Sequence, residues 1–417
     1  MSSTSRDEVA VVGAGIVGIC CGLSLVEKGV SVTMIDREQP AQGASSGNAG
    51  VISPWGVVPQ CLPGVWKKVP KWLLDPNGPV SIPPRHLLRV LPWSLRFLRN
   101  ANLAKAIKIS DAMAILNAPS ISIYRKHLNG TGEEHLLRDS MYVHVFRDKA
   151  QAKLDGAAWQ LRARHDTPVE LIVGDELRAL EPVLSPDYTA AILIRDQARA
   201  ALPGRLGAVL AEKFQSMGGR LLRGVVHRLI PLEAATWRLE TDLGEISADK
   251  LVLAAGAWSA RLLEPLGFKL PLAADRGYHL TFKNPGVTLN NSVMETNRLF
   301  VCSSMENGVR SAGTSEFADL DASPNYIRAR RLKELTKELI PEINTDDTEE
   351  WMGTRPTFPD NLPCIGRVDG FTGLFAAFGH SHWGLSMAPQ TGRIVADLAT
   401  GAPANVDISP YRIDRFG

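Results

Sequence analysis

The sequence predicts an α/β fold: a Rossmann-type nucleotide-binding domain assembled from discontinuous segments, joined to a domain with an antiparallel sheet and helices. Three observations carry this. Residues 11–18 read VVGAGIVG, a glycine turn between an apolar strand (9–12) and a helix-like run (16–28). A second strand, 31–35, ends at Asp36, and a third, within KLVLAAGAWS at 250–259, runs into another turn of small residues. The stretch between and beyond these units alternates like antiparallel strands (141–147, 220–230, 236–241, 245–254, 269–317) with helical runs at 109–128, 150–165, 203–217 and 327–340.

In the first unit Gly13 allows a tight turn, Gly15 lets backbone approach a pyrophosphate, and Gly18 lets helix pack closely on strand. Ile16 and Val17 open a helix whose free N–H groups favour phosphate. Asp36, followed by Arg37, is placed to accept the hydrogen bonds of a ribose diol. The loop GASSGNAGVISP (43–54) is small and polar and can wrap a long cofactor through Ser45, Ser46, Asn48, Ala49, Gly50 and Val51. In the 250–259 unit, Ala255, Gly256 and Trp258 form a turn through which backbone can meet a ligand. The last apolar strand (373–378) runs through Gly379 and His380 into a helix that begins near Gly384, Leu385 and Ser386.

One such unit serves NAD or FAD. Three features favour FAD: a single GxGxxG, the wrapping loop, and a second helix N-terminus able to stabilise negative charge on a reduced ring. At 417 residues the chain suggests two or three domains, and a net charge of +2 makes no case for nucleic acid. The five cysteines show no metal-ligand spacing and read as free thiols in a reducing, cytoplasmic compartment; no metal site is expected. No apolar run reaches the length of a membrane span. Residues 1–54, 200–258 and 350–417 are assigned to the FAD domain, and 55–199 and 259–349 to the substrate domain.

Four segments resemble the D-amino-acid dehydrogenase branch of the glycine oxidase/D-amino-acid oxidase flavoprotein superfamily: VVGAGIVG with Asp36-Arg37, SSGNAGVISP at 45–54, GTRPTFPDNLPCIGR at 353–367 and GHSHWGLSMAPQTGRIVADL at 379–398. The resemblance implies noncovalent FAD and oxidation of an amine beside a carboxylate in a small amino-acid substrate. It places Arg355 of G-T-R-P on the substrate carboxylate, a task that suits a planar guanidinium. It puts Tyr278 near the same carboxylate or over the pocket, and Val226 where backbone meets adenine. Arg276 is either a second contact for the anion or, the preferred reading, a solvated strand end. His382 and Trp383 stand where relatives carry a small or polar stretch, and would shape the side-chain pocket toward a compact or cyclic D-amino acid. Relatives with covalent flavin place a cysteine near the position of Arg355; here the nearest, Cys364, lies nine residues away.

The electron acceptor divides the readings: a quinone or another carrier for a dehydrogenase, O2 for a glycine- or sarcosine-type oxidase. A noncatalytic subunit built on the same fold is a third reading, disfavoured by Arg355 and the pocket aromatics. Residues 62–108 mix Trp, Pro and Leu with nine Lys or Arg against Asp75 alone. This is the composition of a segment lying on an anionic membrane surface, or of an excursion packed over the substrate domain.

Overall fold

The computed structural model describes residues 8–75, 78–233 and 236–416. Its first sheet has six strands in the order Cys364–Arg367, Leu374–Phe378, Lys250–Leu253, Glu8–Val12, Ser31–Asp36 and Arg220–Arg223. All neighbours are parallel except the first pair. The strands are nearly continuous apolar runs because both faces are covered. One cover is the helix Ile16–Glu27, crossed by Gly384–Ala399 so closely that a Cβ on Gly392 would stand 2.4 Å from the Cys20 carbonyl oxygen. Cys20 and Cys21 are fully buried packing residues at this crossing.

Gly384–Ala399 carries Pro389 in its interior. Proline has no N–H to give the Leu385 carbonyl four residues earlier. The Tyr124 hydroxyl donates to that oxygen instead, at 2.7 Å. The orphaned acceptor is thereby satisfied in a fully buried position.

The second sheet runs Thr348–Thr357, Ala273–Phe282, Gly308–Phe317, Phe300–Met305, Ser292–Glu295, Leu137–Phe146, Ala190–Ala200 and Val51–Ile52, with Val80–Ser81 and Val169–Val173 paired beside this path. A small third sheet joins Val226–Pro231, Trp237–Thr241 and Gly244–Ala248.

Several elements differ from the sequence expectation. The run 220–230 is two strands in two sheets, separated at Gly224, whose N–H bonds to the Asp36 carbonyl. The run 245–254 is also two, separated at Asp249, whose carboxylate accepts the Glu8 N–H at 2.9 Å. Residues 109–128 form the ends of two helices, Leu103–Asn117 and Ser120–Leu128, because Pro119 interrupts the ladder. Thr348–Thr357, grouped by sequence with the nucleotide segments from residue 350, pairs with Ala273–Phe282 in the second sheet.

Candidate active site

A cavity of about 1400 Å³ opens at the carboxyl ends of the parallel strands and continues under one face of the large sheet. This is where open α/β sheets bind ligands. The fit to a dinucleotide is steric as well as polar. Gly13 has φ +108°, and a Cβ there would lie 2.4 Å from the Ala254 carbonyl oxygen. Gly15, in contrast, has only the Ser45 hydroxyl nearby, at 3.6 Å, leaving the backbone open to the cavity. The Ser45 Oγ accepts the Ile16 N–H, which fixes the wrapping loop to the helix start. Asp36 accepts the N–H groups of Ala14 and Glu38 at 2.6 and 2.9 Å. A carboxylate has about four acceptor positions, so two stay free for a ribose diol. Arg37 lies 3.8 Å over the Trp258 ring, closing that side.

Ile16, Val17, Asn48, Ala49, Val51, Val226, Ala255, Gly256, Gly379, Gly384, Leu385 and Ser386 also line this cavity. Gly18, Ser46 and Gly50 do not; they support it from behind. Gly18 packs on the Gly13 carbonyl, the Ser46 hydroxyl turns back to the Gly43 carbonyl, and Gly50 lies against Ala200 and Met305. His380 borders the space, but its ring points inward to Thr391 at 3.0 Å. Thr391 spends its proton on the Met387 carbonyl, so His380 is the donor in that pair.

The substrate end is built by strand pairing. Arg355 lies directly opposite Asp275. One guanidinium nitrogen, Nη1, stands 3.4 Å from the Asp275 carboxylate and donates to the Thr314 carbonyl at 3.2 Å. Among the described residues its Nη2 and Nε have no acceptor, so half the fork is available at the cavity wall. Gly277 makes this possible, since a Cβ there would come 2.0 Å from Nη2. Asp275 is buried and also takes the Ser315 hydroxyl at 2.5 Å. His382 faces the same carboxylate, Nδ1 to Oδ2 3.9 Å. Burial, and secondly Arg355, hold its imidazole down to about 4, so it is neutral near pH 7 and forms no ion pair with Asp275. Trp383 fits against Gly56 beside Asn117, and its ring centroid is 5.8 Å from that of His382.

Tyr278 and Arg276 require correction. Strand residues alternate between faces. Asp275, Gly277 and His279 face Arg355 and the wrapping loop, and Arg276 faces away; Tyr278 borders the cavity, but its hydroxyl is directed to the other side. The Tyr278 hydroxyl donates to Glu316 at 2.5 Å and accepts the Asn325 N–H at 3.0 Å. It is committed to structure and is not free for a carboxylate. Arg276, expected to be solvated, is fully buried against Glu316 and the carbonyls of Ala322 and Ser323. Tyr278→Phe should therefore leave substrate KM unchanged but lower stability by about 2 kcal/mol, the worth of a hydrogen bond to a charged group. Denaturant unfolding beside steady-state kinetics would show this; a raised KM with intact stability would restore the tyrosine to the pocket.

Sequence reasoning missed the residues that hold the wrapping loop. Arg310 donates to the carbonyls of Ser46 and Asn48, both at 2.8 Å. His279, stacked on Trp351 at 4.8 Å, contacts the Gly47 carbonyl through Nδ1, and Trp351 fills the space that a Gly47 side chain would need. Nothing local in the sequence marks these residues, because each acts across 200 or more positions.

Four cavity-side imidazoles are held neutral by burial: His144, His279 and His380 at about 3 and His382 at about 4. Unfolded histidine titrates near 6.5. Between that value and about 3–4 the unfolded chain binds more protons than the folded one, so stability falls as pH drops through this window. Thermal unfolding should be nearly flat from pH 7 to 8 and decline below 6.5. A melting temperature that rises on acidification would contradict the assignment.

A dinucleotide cradle leading to an arginine with half its fork open to the cavity is the arrangement of a flavin-type oxidoreductase. The model of the FAD dependent oxidoreductase family (DAO) matches residues 8–398, and the chain belongs to that family. It is 34% identical over 415 residues to a D-amino-acid oxidase of Bradyrhizobium diazoefficiens, covering 98% of each chain. It is 29% identical to a D-amino acid dehydrogenase of the same organism, covering 98% of this chain and 99% of the relative. Among solved structures it is similar to a glycine oxidase from Geobacillus kaustophilus, with TM-score 0.75 and 22% identity over 98% of this chain and 99% of the other. FAD is thus the cofactor, and the chain is an enzyme of the amine- and amino-acid-oxidising class.

Proposed function

We propose that the protein oxidises a small or cyclic D-amino acid and passes the electrons to a quinone or another carrier. FAD, once bound, supplies the acceptor for the hydride leaving the substrate Cα. Arg355 binds the substrate carboxylate through Nη2 and Nε, with Asp275 and Thr314 holding the rest of the guanidinium still. That orientation is a proximity effect. Neutral His382 and the Trp383 ring border the side-chain space and add no charge beside the amine. Among the described residues no side chain at the site is arranged as a general base, which suits a substrate that arrives with its amine already neutral. Water then hydrolyses the imine product to a keto acid and ammonia, or a cyclic imine is released intact. The half-used Arg355 fork on the cavity wall is the observation that carries this reading.

The names of relatives support amino-acid oxidation and divide on the acceptor, so the oxidase reading stands second. The described cysteines are all buried and none lines the cavity, which supports a noncovalent cofactor. Anaerobic mixing with D-alanine, D-proline, D-hydroxyproline, glycine, sarcosine and the L-enantiomers tests substrate class by loss of flavin colour. Bleaching by no D-amino acid would overturn the reading. Peroxide release in air, set against dye reduction, decides the acceptor.

A membrane-surface contact through residues 62–108 is the second part of the proposal. Trp93 and Val90 anchor the helix Leu87–Asn100, Trp93 donating its indole N–H to the Thr357 carbonyl at 3.0 Å. The opposite side of the helix presents Leu88, Leu91, Leu95 and Leu98 to solvent at helical spacing, with Leu88 81% exposed. Trp66, Leu73 and Leu74 are exposed in the same segment, among its Lys and Arg residues. An apolar stripe flanked by cations suits an anionic bilayer. No described helix is long and apolar enough to cross a membrane. The protein should float with phosphatidylglycerol vesicles at low salt, and Leu88→Ser with Leu91→Ser should leave it at the bottom. A wild-type protein that stays down at low salt would refute the contact.

A further inference from the structure

The cavity does not end at Arg355. It continues across the same face of the large sheet to Tyr142 and His144, five strands away in the order of that sheet. At about 4.8 Å per strand this is roughly 24 Å along the sheet. The helix Ala157–Arg164 covers this end with Trp159 and Arg162, three residues apart and so on one helix face. The Arg162 guanidinium stacks over Trp159 at 4.6 Å from the ring centroid. Trp159 meets His144 edge-on at 5.6 Å, and His144 meets Tyr142 likewise at 4.7 Å.

What this cluster lacks is an anion. Among the described residues no carboxylate or carbonyl pairs with Arg162, and its Nε is buried without an acceptor. The His144 Nε2 is buried and unpartnered as well. The Nε atoms of Arg276, Arg310 and Arg328 are likewise without an acceptor, but each of those guanidiniums is held through its Nη atoms: Arg276 by Glu316 and two carbonyls, Arg310 by two carbonyls, and Arg328 by the Gly78 carbonyl. Arg162 is half-buried at the cavity wall with its Nε enclosed, and a charge so placed without a partner is unfavourable. Burial lowers the Arg162 guanidinium to about 10, offset in part by the Tyr142 hydroxyl and by no carboxylate.

We propose that Arg162, with Trp159, His144 and Tyr142, forms a second subsite in the cavity that binds a carboxylate. The flat guanidinium offers a fork for two carboxylate oxygens, the stacked Trp159 fixes its plane, and the neutral imidazole adds a donor. The spacing excludes one small amino acid reaching both arginines. The carboxylate belongs either to the distal end of an extended amino-acid substrate or to a separate small molecule.

The test uses the FAD-loaded enzyme and three variants, Arg355→Met (made with Asp275→Asn, so that no buried carboxylate is left unpaired), Arg162→Met and the double variant. Glutarate binding is measured by calorimetry. The proposal expects Arg355→Met to retain a glutarate site and the double variant to lose it by at least tenfold. It also expects Arg162→Met to melt no lower than wild type without carboxylate, since an unpaired half-buried charge has been removed. Glutarate affinity indifferent to Arg162, or a lowered melting temperature with binding intact, would overturn it. Kinetics then separate the two sources, an arm that relies on the proposed function. An attached carboxylate predicts that Arg162→Met lowers kcat/KM for Nε-succinyl-D-lysine but not for D-norleucine. A free one predicts that glutarate alters D-norleucine turnover only while Arg162 is present. If no amino acid is turned over, the catalytic reading fails and the calorimetry still decides the subsite.

Discussion

Replacing Arg355 by lysine is expected to lower kcat/KM for the amino-acid substrate by about 10²–10³-fold while FAD stays bound. Lysine keeps a positive charge near Asp275 but gives up the planar fork. Hydrogen bonds to charged groups are worth about 1.5–3 kcal/mol each, and about 1.4 kcal/mol is a factor of ten in rate. Two bonds lost from a substrate carboxylate at the lower end of that scale, about 3–4 kcal/mol, give the stated range, since the lysine charge stays near the carboxylate. Arg355→Met goes further, because it removes the cation facing a buried Asp275. That leaves an unpaired carboxylate and should destabilise the fold by about 3–5 kcal/mol. Arg355→Met combined with Asp275→Asn separates the two consequences: stability should return and activity should not. Stopped-flow flavin reduction with calorimetric unfolding checks both. A lysine variant with unchanged KM and reduction rate would remove Arg355 from the carboxylate.

The nucleotide half of the molecule was legible because its signals are local. VVGAGIVG, the strand to Asp36 and the small-residue turn after Leu253 each encode a turn and its neighbours within a few residues. The substrate half is specified by register between distant strands. Arg355 could be named from its short motif, but not that Asp275 lies opposite it or that Gly277 clears its space; those depend on pairing across 80 and 78 positions. The partners of the Tyr278 hydroxyl were hidden for the same reason. A single sequence gives the period of a strand but not which face meets the cavity, and one step of parity turns a pocket residue into a structural one. The Arg162 cluster left no sequence signal, since Tyr142, His144 and Arg162 meet only when helix and sheet pack.

Gly18→Ala and Gly15→Ala should give opposite signatures, although they change the same motif by one methyl each. At Gly18 the new Cβ would lie 1.9 Å from the Gly13 carbonyl oxygen and 3.4 Å from the Ala254 Cβ. Neither neighbour can give way. The Gly13 N–H bonds to the Ile35 carbonyl at 2.8 Å, and the Ala254 N–H bonds to the Val12 carbonyl at 2.8 Å, so both belong to the sheet ladder. Helix Ile16–Glu27 must then lift from the sheet. Overpacking of this kind destabilises by about 1–3 kcal/mol, occasionally more, and it moves the helix N-terminus that faces the phosphates. Gly18→Ala is therefore expected to yield colourless protein with a lower melting temperature even without FAD. At Gly15 the Cβ meets only Ser45 Oγ at 3.6 Å, ordinary contact. The apoprotein should melt as wild type, because nothing in the fold is displaced. The methyl instead fills the space where backbone must approach a pyrophosphate, so FAD affinity should fall, and with it the stabilisation that bound cofactor adds by mass action. Melting curves of apo- and FAD-loaded protein for the two variants decide this. Equal loss of apoprotein stability in both would mean that Gly15 is needed for packing and not for the cofactor's approach.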